Sequence, residues 1–238
     1  MTLLFSMKIV YRISDAGYNK IKPEYINNKN CLINAYEMFR SHDFLIIGDN
    51  LSNETRDMVS AVAPGAKYIP VSIGHGAGTF NLALDYALKS NFLDDEIIYF
   101  LENDYLHTTH AAELIQEGII LGAHYVTGYD HPDKYIPGNQ GGNKFIEQDG
   151  GELTKVYLTK NSHWKITNST TMTFASKVKT LREDEPVLRK FTQGTHPFDF
   201  EMFLELRSKG RILISSIPGF STHGETQWLA PLIKWNRI

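Results

Sequence analysis

Ile97-Ile98-Tyr99-Phe100-Leu101-Glu102-Asn103-Asp104 is the stretch on which the fold turns. An unbroken apolar run, rich in β-branched and aromatic residues, ends in two carboxylates spaced i and i+2. Such a run suits a strand covered on both faces, and a doubly covered strand belongs to a sheet layered between helices. In an open α/β sheet the ligand crevice lies beyond the carboxyl ends of the strands. Two oxygen donors at that place, Glu102 and Asp104, suit a hard divalent cation that also bridges phosphate oxygens. The alternative is that both acids only cap the turn before the next helix.

Working outward, strand-like runs lie at Lys8 to Ile13, Phe44 to Ile47 and Tyr68 to Ile73. Apolar residues at helical spacing mark Cys31 to Arg40, Ser52 to Ala63 (stopped by Pro64-Gly65) and Thr79 to Lys89. A helix over His110 to Leu121 and a strand over Ala123 to Tyr129 continue the alternation, which predicts βα units on a mostly parallel mixed sheet flanked by helices. The texture then changes. His131 to Gly151 is rich in Gly, Pro, Asn and Lys and reads as a long loop or hairpin. Strands are expected at Val156 to Leu158 and Thr170 to Phe174, a helix at Phe198 to Lys209 and a last strand at Arg211 to Ile217. With no repeat and no linker, residues 1–238 read as one α/β domain, whose halves divide near residue 130.

The balance of 24 Lys+Arg against 27 Asp+Glu, net −3, argues against a protein that coats nucleic acid, because that affinity comes mainly from phosphate neutralisation by basic side chains. Cys31 stands alone, which excludes an internal disulfide and a zinc ribbon. No apolar run reaches the length of a membrane span, and the stretch Met1 to Met7 is too short for a secretory h-region. A reducing, cytoplasmic setting is the expectation.

The ordered pieces Ile9 to Ser14, Asp49-Asn50-Leu51-Ser52, Gly74-His75-Gly76-Ala77-Gly78-Thr79-Phe80-Asn81 and Glu102-Asn103-Asp104 resemble the family-2 nucleotide-sugar glycosyltransferases with the GT-A fold. Their order is a short strand, a strand ending in Asp-Asp-x-Ser, a Gly-containing helix start, then a strand ending in Asp-x-Asp. The resemblance covers roughly the first 130 residues, with Asn50 and Glu102 standing where the family has Asp. It implies a single Rossmann-like GT-A domain, with residues of about 7–130 holding the nucleotide sugar and about 131–238 the acceptor. It also implies a UDP-sugar donor, a carbohydrate or glycoconjugate acceptor, and a divalent metal, Mn2+ or Mg2+.

Residue by residue, the resemblance places Arg12, Ser14, Asp49, Asn50, His75, Glu102 and Asn103 around the nucleotide. A carboxylate at Asp49 accepts the imide N–H of a uracil ring; its simpler job is to cap a helix with Ser52. The metal set is Glu102, Asp104 and His223, the last in the loop Pro218 to Gly224 beyond the final strand, where imidazole suits a Mn-type ion. The stretch His196-Pro197-Phe198-Asp199-Phe200-Glu201 running to Gly210 looks like the family's acceptor-side helix, with Phe198 in place of its usual Glu. Asp199 then matches the catalytic base of an inverting transfer, with Glu201 as rival. Trp164, Thr167 and Asn168 form the remaining acceptor candidates, Trp164 either as a flat face for a sugar or as a core residue.

Competing classes make different demands. A sugar-phosphate nucleotidyltransferase wants a Gly-rich, Arg-bearing phosphate loop after the first strand, where this chain has Ser14-Asp15-Ala16-Gly17. A P-loop kinase needs GxxxxGK[ST], which is absent. A dinucleotide enzyme needs GxGxxG after the first strand, and the Gly74 to Gly78 cluster follows the third. A non-catalytic nucleotide-sugar-binding module would keep Asp49 and have no use for Asp199.

Overall fold

The computed structural model describes residues 6–17, 20–147 and 151–238. The first five residues of the opening segment, and part of the stretch read as a loop to Gly151, therefore lie outside the described residues. The early strands are β1 (Met7–Ser14), β2 (Asp43–Asp49), β3 (Lys67–Val71), β4 (Ile97–Glu102) and β5 (Tyr105–His107). The later ones are β6 (Tyr125–Thr127), β7 (Val156–Leu158), β8 (His163–Ile166), β9 (Phe174–Lys177), β10 (Leu213–Ile217) and β11 (Ser221–His223). The helices are α1 (Asn28–Phe39), α2 (Asn53–Val62), α3 (Gly76–Lys89), α4 (Ala111–Ile120), α5 (Val178–Lys190) and α6 (Asp199–Ser208).

Nine strands form one sheet in the order β3-β2-β1-β4-β9-β6-β10-β8-β7, and β11 pairs with β5 in a separate two-stranded sheet. β1 runs parallel to β2 and β4, and β6 parallel to β10, while β9 and β8 run against their neighbours. The result is the mostly parallel mixed α/β sheet that the alternation predicts.

Each central strand is buried on both faces, and the pleat sends alternate residues to two cores. Ile9, Tyr11 and Ile13 of β1 pack with Tyr99 and Leu101 under α1, α2 and α4. Val10 packs with Ile98 and Phe100 under α3, α5 and α6. Three helices on each side therefore close the sandwich. This double cover is why the strands read as continuous apolar runs instead of alternating ones.

Register aligns the strand ends that matter. Ser14 lies opposite Asp49 and Arg12 opposite Glu102, so the carboxyl ends of β1, β2 and β4 form one edge. The strand expected over Thr170 to Phe174 begins only at Phe174; Thr170 to Thr173 instead form the approach to β9 at that same edge. Helix α5 was not expected: its surface is highly charged and it contains Pro186, yet Val178, Leu181, Val187 and Leu188 are buried. Within residues 131–147 the chain makes 3-10 turns at Pro132–Tyr135 and Gly138–Gln140. No helix among the described residues is long and apolar enough to cross a membrane.

Candidate active site

Beyond the aligned strand ends lies a cleft of about 520 Å³. Its walls include Arg12, Ser14, Asp49, His75, Glu102, Asn103, Asp104, Asp199 and His223, drawn from both halves of the chain. Lys20, Lys22, Thr171, Met172, Thr195, His196 and Pro197 also line it.

Arg12 leaves β1 on the α3 side and is buried, at 4% exposure. Its guanidinium donates to the carbonyls of Gly76 (3.2 Å) and Met172 (3.1 Å) and lies 3.2 Å from Glu102 Oε1. It also sits over the Phe80 ring, 5.6 Å from the centroid. Arg12 therefore ties the start of α3, the approach to β9 and the end of β4 together, and Glu102 spends its charge on Arg12. Arg12→Leu would strip one buried and one half-buried carbonyl of their donor and leave Glu102 without its counter-charge. The expected cost is about 2–4 kcal/mol of stability, read as a lower urea midpoint; an unchanged midpoint would refute this tie.

Asp49 is buried and holds the loop between β3 and α3. Its carboxylate accepts the backbone N–H of Ile73 (2.7 Å) and of Gly74 (2.8 and 3.1 Å), and the Asn50 amide (3.2 Å). Asp49 reaches the cleft with most of its lone pairs already engaged, and Asn50 is exposed, outside the lining. His75 caps α3: its Nδ1 accepts the N–H of Gly78 at 3.0 Å. Any side chain at Gly78 would collide with Ile73 and with this ring, 2.4 and 2.7 Å from an added Cβ. Asn103 donates to Ser14 O (3.3 Å) and to Asn28 Oδ1 (2.5 Å), pinning the ends of β1 and β4. Asp15 accepts Ser52 N (2.7 Å) and Thr55 Oγ1 (2.8 Å), anchoring the post-β1 loop on α2.

Asp104 meets His223 through the small sheet, where His223 lies opposite Tyr105. Asp104 Oδ2 is 3.3 Å from His223 Nε2 and accepts a hydrogen bond from Lys22 Nζ at 2.8 Å. The close passage depends on Gly224: an added Cβ would sit 2.8 Å from the Asp104 carbonyl oxygen. Burial alone would raise the Asp104 carboxyl, but His223 and the Lys22 ammonium outweigh it and hold it well below the ordinary carboxylate range. Two donors of one octahedral ion lie roughly 3 Å apart, so the Asp104 and His223 atoms fit a shared divalent cation. No group of three or more His, Cys, Asp or Glu among the described residues is arranged to hold one. Among the described residues Asp104 and His223 form a pair of possible donors at the cleft, while Glu102 lies against Arg12.

Asp199 opens α6 and faces the same cleft. Its Oδ1 accepts the N–H of Phe200 at 2.8 Å. Burial pushes its carboxyl up to about 7, the negative charges of Glu102 and Glu201 adding to the rise. Glu201, the rival acid, is exposed and outside the lining.

The remaining acceptor candidates lie elsewhere. Trp164 is wholly buried in β8, its Nε1 donating to Thr159 Oγ1 at 2.9 Å. It fills the core and offers no face to a sugar, because β8 is covered by β10 on one edge and by side chains on both faces. Thr167 and Asn168 are buried on Glu152, and Asn168 also on Asn143. These three residues belong to the interior and do not line the cleft.

No protein-family model matches the chain, and no curated protein matches it in sequence. Among solved structures it is similar to a crystal structure of GalNAc-T7 with UDP, GalNAc and Mn2+, at TM-score 0.57 and 12% identity over 92% of this chain. The chain spans 43% of the length of that protein. It is also similar to a CMP:2-keto-3-deoxy-manno-octonic acid synthetase complexed with CTP, at TM-score 0.50 and 14% identity. That match covers 90% of this chain and 92% of the other. At such identities both likenesses speak to the fold, which is a GT-A-like, Rossmann-type α/β sandwich.

Proposed function

We propose that the protein is a metal-dependent glycosyltransferase that moves a sugar from a nucleoside diphosphate donor, UDP by preference, to a carbohydrate hydroxyl with inversion at the anomeric carbon. The observation that carries the reading is the meeting of Asp104, His223 and Asp199, distant in sequence, around one cleft at the carboxyl edge of the sheet. Asp104 and His223 would hold the ion, and a divalent cation there supplies positive charge against the departing diphosphate. Lys20, Lys22 and the N-terminal end of α3 line the same wall, where an anionic donor is favoured. Asp199 takes the proton of the acceptor hydroxyl as that oxygen bonds to the anomeric carbon and the bond from that carbon to the diphosphate oxygen breaks. One displacement inverts the centre.

The second reading is nucleotidyl transfer, favoured by the near-complete coverage of the CTP-bound synthetase. Against it stands the loop after β1, where Asp15 turns its carboxylate to Ser52 and Thr55 and no arginine is present to meet a triphosphate. The deciding assay offers a UDP-sugar with Mn2+ or Mg2+, with and without chelator, beside a nucleoside triphosphate with a sugar phosphate. Release of UDP that chelation stops is expected. Release of pyrophosphate in the second arm, with no UDP in the first, would favour the synthetase reading.

A further inference from the structure

Aromatic residues flank Asp199 in the chain, Phe198 before it and Phe200 after it. Phe200, next in chain after the base, stacks on Phe145 with ring centroids 6.0 Å apart and planes 21° from parallel. Phe145 and Phe198 are more than half exposed, at 57% and 55%, although phenylalanine is among the residues most often buried. Lys144 is exposed and sets its ammonium 4.6 Å from the Phe200 centroid and 5.7 Å from that of Phe145. It has no acidic partner among the described residues. A solvent-facing ring, Phe145, backed by the half-buried Phe200 next to the base and crossed by a cation without a carboxylate partner, leaves an aromatic and cationic face turned to water.

We propose that Phe145, Phe200 and Lys144 form the acceptor platform, and that it takes a carbohydrate ring bearing an anionic substituent, a phosphate or a carboxylate. The apolar C–H face of a sugar ring covers an aromatic ring well, and an anion beside it meets the Lys144 ammonium in a charge-assisted contact. This assignment rests on the reading of Asp199 as the base, since it is the neighbouring carboxylate that gives the platform a reaction to serve. It also moves acceptor recognition from the buried Trp164 segment to the loop before β7 and the start of α6.

The test titrates the full chain, with UDP and Mg2+ present, with glucose, glucose 6-phosphate and glucuronic acid by calorimetry. At least one anionic sugar is expected to bind about tenfold tighter than glucose, and the stronger arm identifies the group. Lys144→Met is expected to bring the anionic sugars to the level of glucose. Phe145→Ala is expected to weaken all three by about threefold or more. Both side chains are exposed, so thermal midpoint and UDP affinity are expected to stay at wild-type values. Equal affinity for the three sugars, no binding of any, or variants that leave the affinities unchanged would each overturn the proposal. Failure of UDP to bind the wild type would instead count against the transferase reading, and the sugar titrations would still judge the platform.

Discussion

Asp199→Asn is expected to abolish transfer, lowering kcat by about 10²- to 10⁴-fold, while making the protein more stable in mild alkali. The two effects share one cause. Burial and the charges of Glu102 and Glu201 lift the Asp199 carboxyl to about 7, far above the ordinary value for an aspartate. As a base it must be ionised, so kcat/KM of the wild type is expected to rise with pH through a limb near 7. That limb should be missing from any residual activity of the variant. For stability the sign follows from linkage: the folded-state pKa lies above the unfolded one. The stabilising preference for the protonated form is complete below about pH 4 and is lost as pH rises through about 7. Asparagine, neutral throughout, escapes that loss. Urea unfolding at pH 8 should show the variant more stable by on the order of 3 kcal/mol, with the difference vanishing near pH 4. A variant that transfers normally, or gains nothing at pH 8, would contradict the role assigned to this carboxylate.

Asp104→Ala carries the second large effect. It removes the oxygen that faces both His223 and Lys22, at 3.3 and 2.8 Å, and leaves a lone imidazole. Metal-dependent UDP affinity is expected to fall by roughly a hundredfold, on the order of 3 kcal/mol. Chelator should then lower the wild type to the level of the variant and leave the variant unchanged. A cost in stability is expected as well. The Asp104 carboxyl is held below its unfolded value, so its contribution is present above about pH 4 and is lost as pH falls through the folded value. Normal UDP binding by the variant in the presence of Mn2+ would remove Asp104 from the site.

The first half was legible because its chemistry is local. Apolar runs such as Phe44 to Ile47 and Ile97 to Leu101 announce doubly covered strands, and their terminal acids fall at the sheet edge by register alone. What each acid does there depends on partners far along the chain. Glu102 is claimed by Arg12, and Asp49 by Ile73 and Gly74. Lys22 was unreadable, since it stands in a polar stretch whose only signal is its distance of 2.8 Å from Asp104. β5 and β11 are three residues each, too short for periodicity to register, yet their pairing delivers His223. Helix α5 hides behind charge: Arg182, Arg189 and Arg211 make ion pairs on or around it, and its apolar stripe is narrow. Trp164 shows the limit most clearly. An aromatic residue among hydroxyls and amides reads equally as sugar platform or core, and only the sheet order, with β8 between β10 and β7, decides for the core.

A crystal structure of the protein with UDP and Mn2+ would show whether Asp104, His223 and Asp199 meet the ion, the diphosphate and the acceptor in one cleft. The expected result is the ion between Asp104 and His223, the diphosphate against it with Lys22 drawn off the carboxylate, and Asp199 open to the side of Phe145 and Phe200. A diphosphate bound elsewhere, or an ion that avoids Asp104, would contradict it.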